Sequence, residues 1–121
     1  SVNNVIDILN YKNKFDVIAI DEAQFFSNDI VSVCNELADS GIRVIIAGLD
    51  MDYSGKPFGP MPYLMAIAEE VIKVHAICSD TGNPALYSYR KLKNKDVVML
   101  GKKDEYEPLS REAFILKMKK K

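Results

Sequence analysis

The run Val17-Ile18-Ala19-Ile20, closed by the paired acids Asp21-Glu22, constrains this chain more than any other segment. A short unbroken apolar run with β-branched residues predicts a strand buried on both faces, the usual state of a strand in a parallel sheet covered by helices. The residues that follow carry the pattern on. Ile30, Val33, Cys34, Leu37 and Ala38 recur at helical spacing, with Asn28 or Asp29 available as the cap and Gly41 as the stop. Ile42 to Leu49 is a second apolar run, broken only by Arg43. Strand, helix and strand in this order predict a βαβ unit with a right-handed crossover, part of an open and mainly parallel α/β sheet. Upstream, Val2, Val5, Ile6 and Leu9 predict another helical segment.

Past the second run the chain changes texture. Asp50 to Pro62 is irregular, punctuated by Gly55, Pro57, Gly59, Pro60 and Pro62. Met61, Leu64, Met65 and Ala68 then share one face of a short helix, and Glu70 to Cys78 predicts a third strand of the same sheet. At Asp80-Thr81-Gly82-Asn83-Pro84 the character shifts again. Ala85 to Lys91 and Asp96 to Leu100 bracket the polar turn Lys93-Asn94-Lys95, as a hairpin does. Two parts are therefore expected: an α/β domain over 1–78, and a β-rich appendage with a basic tail over 79–121. His75, the sole histidine, falls inside the apolar run and is expected to be structural.

Composition excludes several functions. The chain has 121 residues and a net charge of −1, sixteen basic against seventeen acidic. No basic field is available to recruit nucleic acid or anionic lipid, so a small-molecule substrate is expected. The late lysines, ending in Lys117 to Lys121, predict a solvated, frayed terminus. Two cysteines, Cys34 and Cys78, form neither a disulfide framework nor a complete metal site. No apolar stretch has the length of a membrane span, and the expected location is cytoplasmic.

Two segments carry chemistry. Asp21 and Glu22 close a predicted parallel strand, and ligands gather at the carboxyl ends of such strands. In phosphoryl-transfer enzymes an Asp at this place helps hold Mg²⁺ beside nucleotide phosphates, and a neighbouring acid serves as base for the attacking group. Asp is also a common strand terminator, and an apolar run plus Asp-Glu occurs in many helicases and ATPases. The second segment is the loop from Gly48 to Pro62, which leaves the neighbouring strand on the same side. Its Tyr53 and Phe58 are candidates to wall a slot for a flat ring, with core filling as the plain alternative.

Taken together, Asp16-Val17-Ile18-Ala19-Ile20-Asp21-Glu22-Ala23-Gln24-Phe25-Phe26 and Ala47 to Tyr53, continuing from Lys56 through Pro62, resemble the bacterial-type thymidine kinases. The resemblance runs in register from about Phe15 to about Tyr106. It implies a P-loop NTPase-type sheet with a small lasso appendage, and transfer of the γ-phosphoryl of ATP to the 5′-hydroxyl of deoxythymidine with Mg²⁺. By resemblance, Glu22 matches the general base and Asp21 the Mg²⁺-side acid, through water or directly. Tyr53 matches the aromatic against thymine, and Phe58 the same pocket wall. Val97, Val98, Met99, Leu100, Gly101 and Tyr106 match the lasso that closes over the nucleoside. A homotetramer is also implied.

Two departures qualify that picture. A Walker A pattern needs Gly, four residues, then Gly-Lys-Ser/Thr. Ser54-Gly55-Lys56-Pro57 does not supply it, because proline replaces the Ser/Thr and Asp50 stands where the first glycine is required. The resemblance places the P-loop upstream of Ser1, so these residues are expected to be inactive by themselves. The family's zinc-binding cysteines align with Cys78, Thr81, Ser110 and Ala113, which leaves one thiolate, and no zinc is expected. Two other readings stand beside the kinase: a non-catalytic nucleoside-binding relative, and the Asp-Glu half of a helicase-like ATPase.

Overall fold

The structure, a computed structural model, describes residues 4–91 and 106–120. The chain divides into two compact units, one of Ser1–Asp50 with Pro57–Val71, the other of Met51–Lys56 with Ile72–Lys121.

In the first unit a 3₁₀ segment, Val5–Tyr11, is followed by β1 (Val17–Ile20), a 3₁₀ turn (Ala23–Phe25), α1 (Asp29–Asp39), β2 (Arg43–Ile46) and α2 (Met61–Ile67). The two strands are parallel, with Val17 opposite Arg43 and Ile20 opposite Ile46. This is the expected βαβ unit. Its stability comes from α1, whose Ile30, Val33, Cys34 and Leu37 are buried in one cluster with Ile8, Ile20, Ile42, Met61 and Leu64. Helix α1 stops where the sequence places Gly41. That glycine takes φ +88°, its N–H donates to Ala38 and the N–H of Ile42 donates to Leu37, which satisfies two carbonyls at the helix end.

The strands differ from expectation in one respect. Ile18, Ile20, Val44 and Ile46 belong to or pack on the core, whereas Val17 and Ile45 are about half exposed (51% and 47%). Because side chains alternate across a strand, α1 covers one face, and the other keeps Val17 and Ile45 half exposed. The upstream helical segment forms as a 3₁₀ turn, capped by the Asn4 side chain on the N–H of Ile6 at 3.1 Å.

The second unit is antiparallel. Strand β3 (Ala76–Ile77) pairs with β4 (Pro84–Ala85), β5 (Tyr87–Arg90) pairs with β6 (Tyr106–Leu109), and α3 (Arg111–Lys119) follows. Its core gathers Cys78, Ala85, Tyr87, Tyr89, Leu109, Ala113 and Phe114, with Tyr87 stacked on Phe114 at 4.3 Å between ring centres.

Two expectations are corrected here. The run from Glu70 to Cys78 is not a third strand of the parallel sheet: Glu70 to His75 is irregular and exposed, with Val74 90% accessible. Only Ala76 and Ile77 pair, and they pair backwards with β4 through a local turn closed by Cys78 N–H on Asn83 O at 2.7 Å. Closing a loop of a few residues costs less entropy than a crossover back to the sheet, so the local partner wins. His75 sits in that exposed stretch. The basic terminus, as far as Lys120, is not frayed either. It forms α3, whose Ser110 cap accepts the Ala113 N–H and whose Lys117 pairs with Glu107 and with Asp80 at 3.5 Å. Of the expected hairpin, Tyr87–Arg90 is strand, and Asp96 to Leu100 lies outside the described residues.

The architecture is thus mixed α/β, with one small parallel and two small antiparallel sheets among the described residues. No described helix is long and apolar enough to cross a membrane. Leu37→Ala removes a fully buried side chain of α1 and is expected to destabilise by about 2–5 kcal/mol in chemical denaturation, whereas Ile45→Ala on the open face costs less than about 1 kcal/mol.

Candidate functional site

The end of β1 is where backbone geometry becomes unusual. Past Ile20 the ladder extends by two more bonds, Ala47 N–H to Ile20 O at 2.9 Å and Ala23 N–H to Ala47 O at 3.1 Å. Between those anchors the chain must turn sharply within Asp21 and Glu22. Glu22 makes the turn with φ 53° and ψ 41°, the only non-glycine residue at positive φ among the described residues. A side chain in this left-handed region costs about 1–2 kcal/mol. The Asp21 carboxylate offsets part of that cost by accepting the Glu22 N–H at 2.8 Å. Both acids are exposed immediately past the strand's carboxyl end, as the sequence predicts.

The turn also buries a residue that sequence reasoning passed over. Gln24 is 3% exposed. Its Nε2 donates to Glu22 Oε2 at 2.7 Å, and its Oε1 accepts the N–H of Leu49 at 3.1 Å. Gly48 makes room: a Cβ there would lie 2.8 Å from Gln24 Oε1 and 2.9 Å from Met61 Sδ. A glutamine two residues after an acid gives no local signal, since its partner Leu49 lies 25 positions along the chain. Phe58 belongs to this unit as well, edge-on to Phe25 with ring centres 5.6 Å apart.

Tyr53 belongs to the second unit, so the two aromatics read as walls of one slot fall in different units. Its loop is built around Asp52, whose Oδ1 accepts from Ser54 N–H at 2.9 Å, from the Ser54 hydroxyl at 2.6 Å and from Lys56 N–H at 3.2 Å. The Ser54-Gly55-Lys56 segment is therefore an Asp-centred turn. The Arg90 guanidinium lies 3.8 Å from the Tyr53 ring centre and 5.7 Å from that of Tyr106, its cross-strand partner, with Nη2 3.4 Å from the Tyr106 hydroxyl. Arg90 is 1% exposed and stacks between candidate residues, a role hidden in sequence because an arginine in a strand reads as an outward residue. Tyr106 is thus in place beside Tyr53's partner, while Val97, Val98, Met99, Leu100 and Gly101 lie outside the described residues.

The four positions aligned with zinc-binding cysteines do converge. Thr81 N–H donates to Cys78 Sγ at 3.4 Å, the Thr81 hydroxyl donates to Ser110 Oγ at 3.3 Å, and Ala113 N–H donates to Ser110 Oγ at 3.4 Å. Burial pushes the Cys78 thiol up, but hydrogen bonds from Thr81 and Ser110, side chain and backbone, outweigh it and hold the thiol down at about 6. Burial alone acts on Cys34 and pushes it up to about 11. No group of three or more His, Cys, Asp or Glu side chains among the described residues is arranged to hold a metal.

The molecule so far is an α/β protein with an acidic pair on a strained turn at the carboxyl end of a parallel strand. Comparison with known proteins sharpens that class. The family model described as thymidine kinase matches residues 1–114. A thymidine kinase of Bacteroides thetaiotaomicron is 54% identical over 114 residues, covering 94% of this chain and 57% of the relative. One from Bacteroides fragilis is 54% identical over 113 residues, with 93% and 57% covered, and one from Porphyromonas gingivalis is 51% identical over 113 residues, with 93% and 55% covered. The chain belongs to the thymidine kinase family. It spans a little over half the length of these curated relatives.

The opposed environments of the two thiols give a pH test. A thiol held at about 6 when folded and at the ordinary 9.0 when unfolded adds stability that is fully present above pH 9.0 and is lost as pH falls through 6. Ultraviolet thiolate absorbance is expected to show Cys78 ionising near 6 and Cys34 only near 11, with Thr81→Val moving the first transition upward.

Proposed function

We propose that the chain contributes the base and nucleoside side of a deoxythymidine kinase site, in a sheet of the P-loop NTPase type. The observation that carries this reading is the Asp21-Glu22 turn at the end of β1, together with family membership. In this reading Glu22 takes the proton of the deoxythymidine 5′-hydroxyl as it attacks the γ-phosphoryl of ATP. By the family resemblance, Tyr53, on whose ring the Arg90 guanidinium lies, is assigned to the thymine, and Phe58, Val97, Val98, Met99, Leu100, Gly101 and Tyr106 are assigned as further nucleoside-binding residues.

Asp21 fits a Mg²⁺ partner. It is one exposed carboxylate with a single backbone N–H on Oδ1, and Mg²⁺ is commonly held by one or two carboxylates, its own waters and substrate phosphates. When bound, the ion supplies charge neutralisation at the β and γ phosphates. The 121 residues contain no Walker A pattern, so they are expected to bind nucleoside without transferring phosphate. A cytoplasmic homotetramer acting on small molecules, without nucleic acid, is part of the same reading.

Titration of deoxythymidine, followed by tyrosine fluorescence in this Trp-free chain, tests it. Saturable binding is expected, and Glu22→Gln is expected to weaken deoxythymidine on the order of 10-fold while leaving 5′-deoxythymidine, which lacks the hydroxyl, unchanged. No saturable binding of either nucleoside would sink the reading.

Zinc is not part of the proposal. Cys78 with Thr81, Ser110 and Ala113 offers one thiolate where a closed structural site needs four ligands. Elemental analysis of the purified chain is expected to find zinc far below one per chain, and a stoichiometric content would overturn this part.

A further inference from the structure

We propose that Gln24 is a positioning residue that sets which oxygen of Glu22 is presented to the nucleoside hydroxyl. The structural half of this inference stands on geometry alone; its functional half rests on the reading of Glu22 as the base. A glutamate side chain on an exposed turn ordinarily samples several rotamers, and a base that must meet one proton gains from losing that freedom. Gln24 removes it through a fixed relay. Its amide is buried at 3% exposure, its oxygen is held by Leu49 N–H at 3.1 Å, and its nitrogen reaches Glu22 Oε2 at 2.7 Å.

The amide can face only one way. Turning it over would set its oxygen against the carboxylate and its NH₂ against the Leu49 N–H, acceptor to acceptor and donor to donor. The backbone donor at Leu49, just past β2, therefore determines which end of the amide meets Glu22. The short contact is charge-assisted, a donor on an ionised acceptor, the stronger kind of hydrogen bond. A donor on Oε2 draws charge from that oxygen, so in this proposal Oε1, which takes no bond from Gln24, is the one assigned to accept the proton.

The surroundings keep Gln24 from drifting. A Cβ at Gly48 would lie 2.8 Å from its Oε1, and one at Gly59 would lie 2.4 Å from its backbone oxygen. Two segments pack against it closely enough to exclude any side chain, even a methyl. Together with the left-handed backbone of Glu22, this fixes the carboxylate at both ends, the Cα by the turn and the Oε2 by the amide.

Two measurements test the proposal and keep it apart from the kinase reading. First, heteronuclear NMR of the side-chain amide of Gln24 compares the native chain with Glu22→Gln. Loss of the charged acceptor is expected to move the Gln24 NH₂ signals while the Leu49 amide keeps its hydrogen-exchange protection. Unmoved NH₂ signals would overturn the relay, whatever the chain binds. Second, Gln24→Glu keeps the shape and the acceptor for Leu49 but replaces the donor with a second carboxylate. It is expected to reduce the affinity advantage of deoxythymidine over 5′-deoxythymidine on the order of 10-fold, with 5′-deoxythymidine itself bound as before. Equal weakening of both nucleosides, or of neither, shows a merely structural glutamine and overturns the proposal. If the native chain binds neither nucleoside, the kinase reading fails and the NMR comparison still decides the relay.

Discussion

Burial of one face of α1 against the two parallel strands is the constraint on which the acidic turn depends. Four paired residues per strand are too few to hold a parallel ladder alone, and α1 supplies the apolar contact through Ile30, Val33, Cys34 and Leu37. That packing fixes where β1 ends and where β2 lies beside it. Ala47 can then reach back to Ile20 and forward to Ala23, and the chain has only Asp21 and Glu22 in which to reverse. The strained backbone of Glu22 is thus a downstream result of helix packing, and the placement of its carboxylate follows from the strain.

Much of this was legible in the residues. The β-branched run, the amphipathic spacing after it and Gly41 predict β1, α1 and its stop, because each is decided by local pattern. The acidic pair was legible for the same reason. The segment from Glu70 to Cys78 was not, since an apolar run states a preference for extended backbone but does not name its partner, and a nearby turn captured Ala76 and Ile77. Gln24 and Arg90 were not legible because their partners, Leu49 and Tyr106, lie 25 and 16 positions away. Polar residues that act through distant partners carry no period and no cap signature.

The knuckle of Cys78, Thr81, Ser110 and Ala113 shows a different kind of legibility. The family resemblance named the positions, and the structure brings Cys78, Thr81 and Ser110 into one hydrogen-bonded group, with the Ala113 N–H donating to Ser110. Hydroxyls and N–H groups around one thiol are enough to hold this corner together. Lys117, bridging Glu107 and Asp80, ties the same turn to α3. The stack of Tyr87 on Phe114 lies at the centre of the apolar cluster with Ala85, Tyr89, Leu109 and Ala113 that this unit buries.

The left-handed geometry of Glu22 has a consequence for any attempt to improve this chain. Glycine is the residue that the backbone at this position prefers, because it adopts φ 53° without steric cost. Glu22→Gly would relieve a strain of about 1–2 kcal/mol but would leave the buried Gln24 amide without its carboxylate acceptor, a loss of about 1–3 kcal/mol. Asparagine, the next most tolerant residue at positive φ, is too short to meet the Gln24 amide in the same place. Backbone preference and side-chain hydrogen bonding ask for different amino acids at this turn, and glutamate keeps the hydrogen bond at the expense of the backbone.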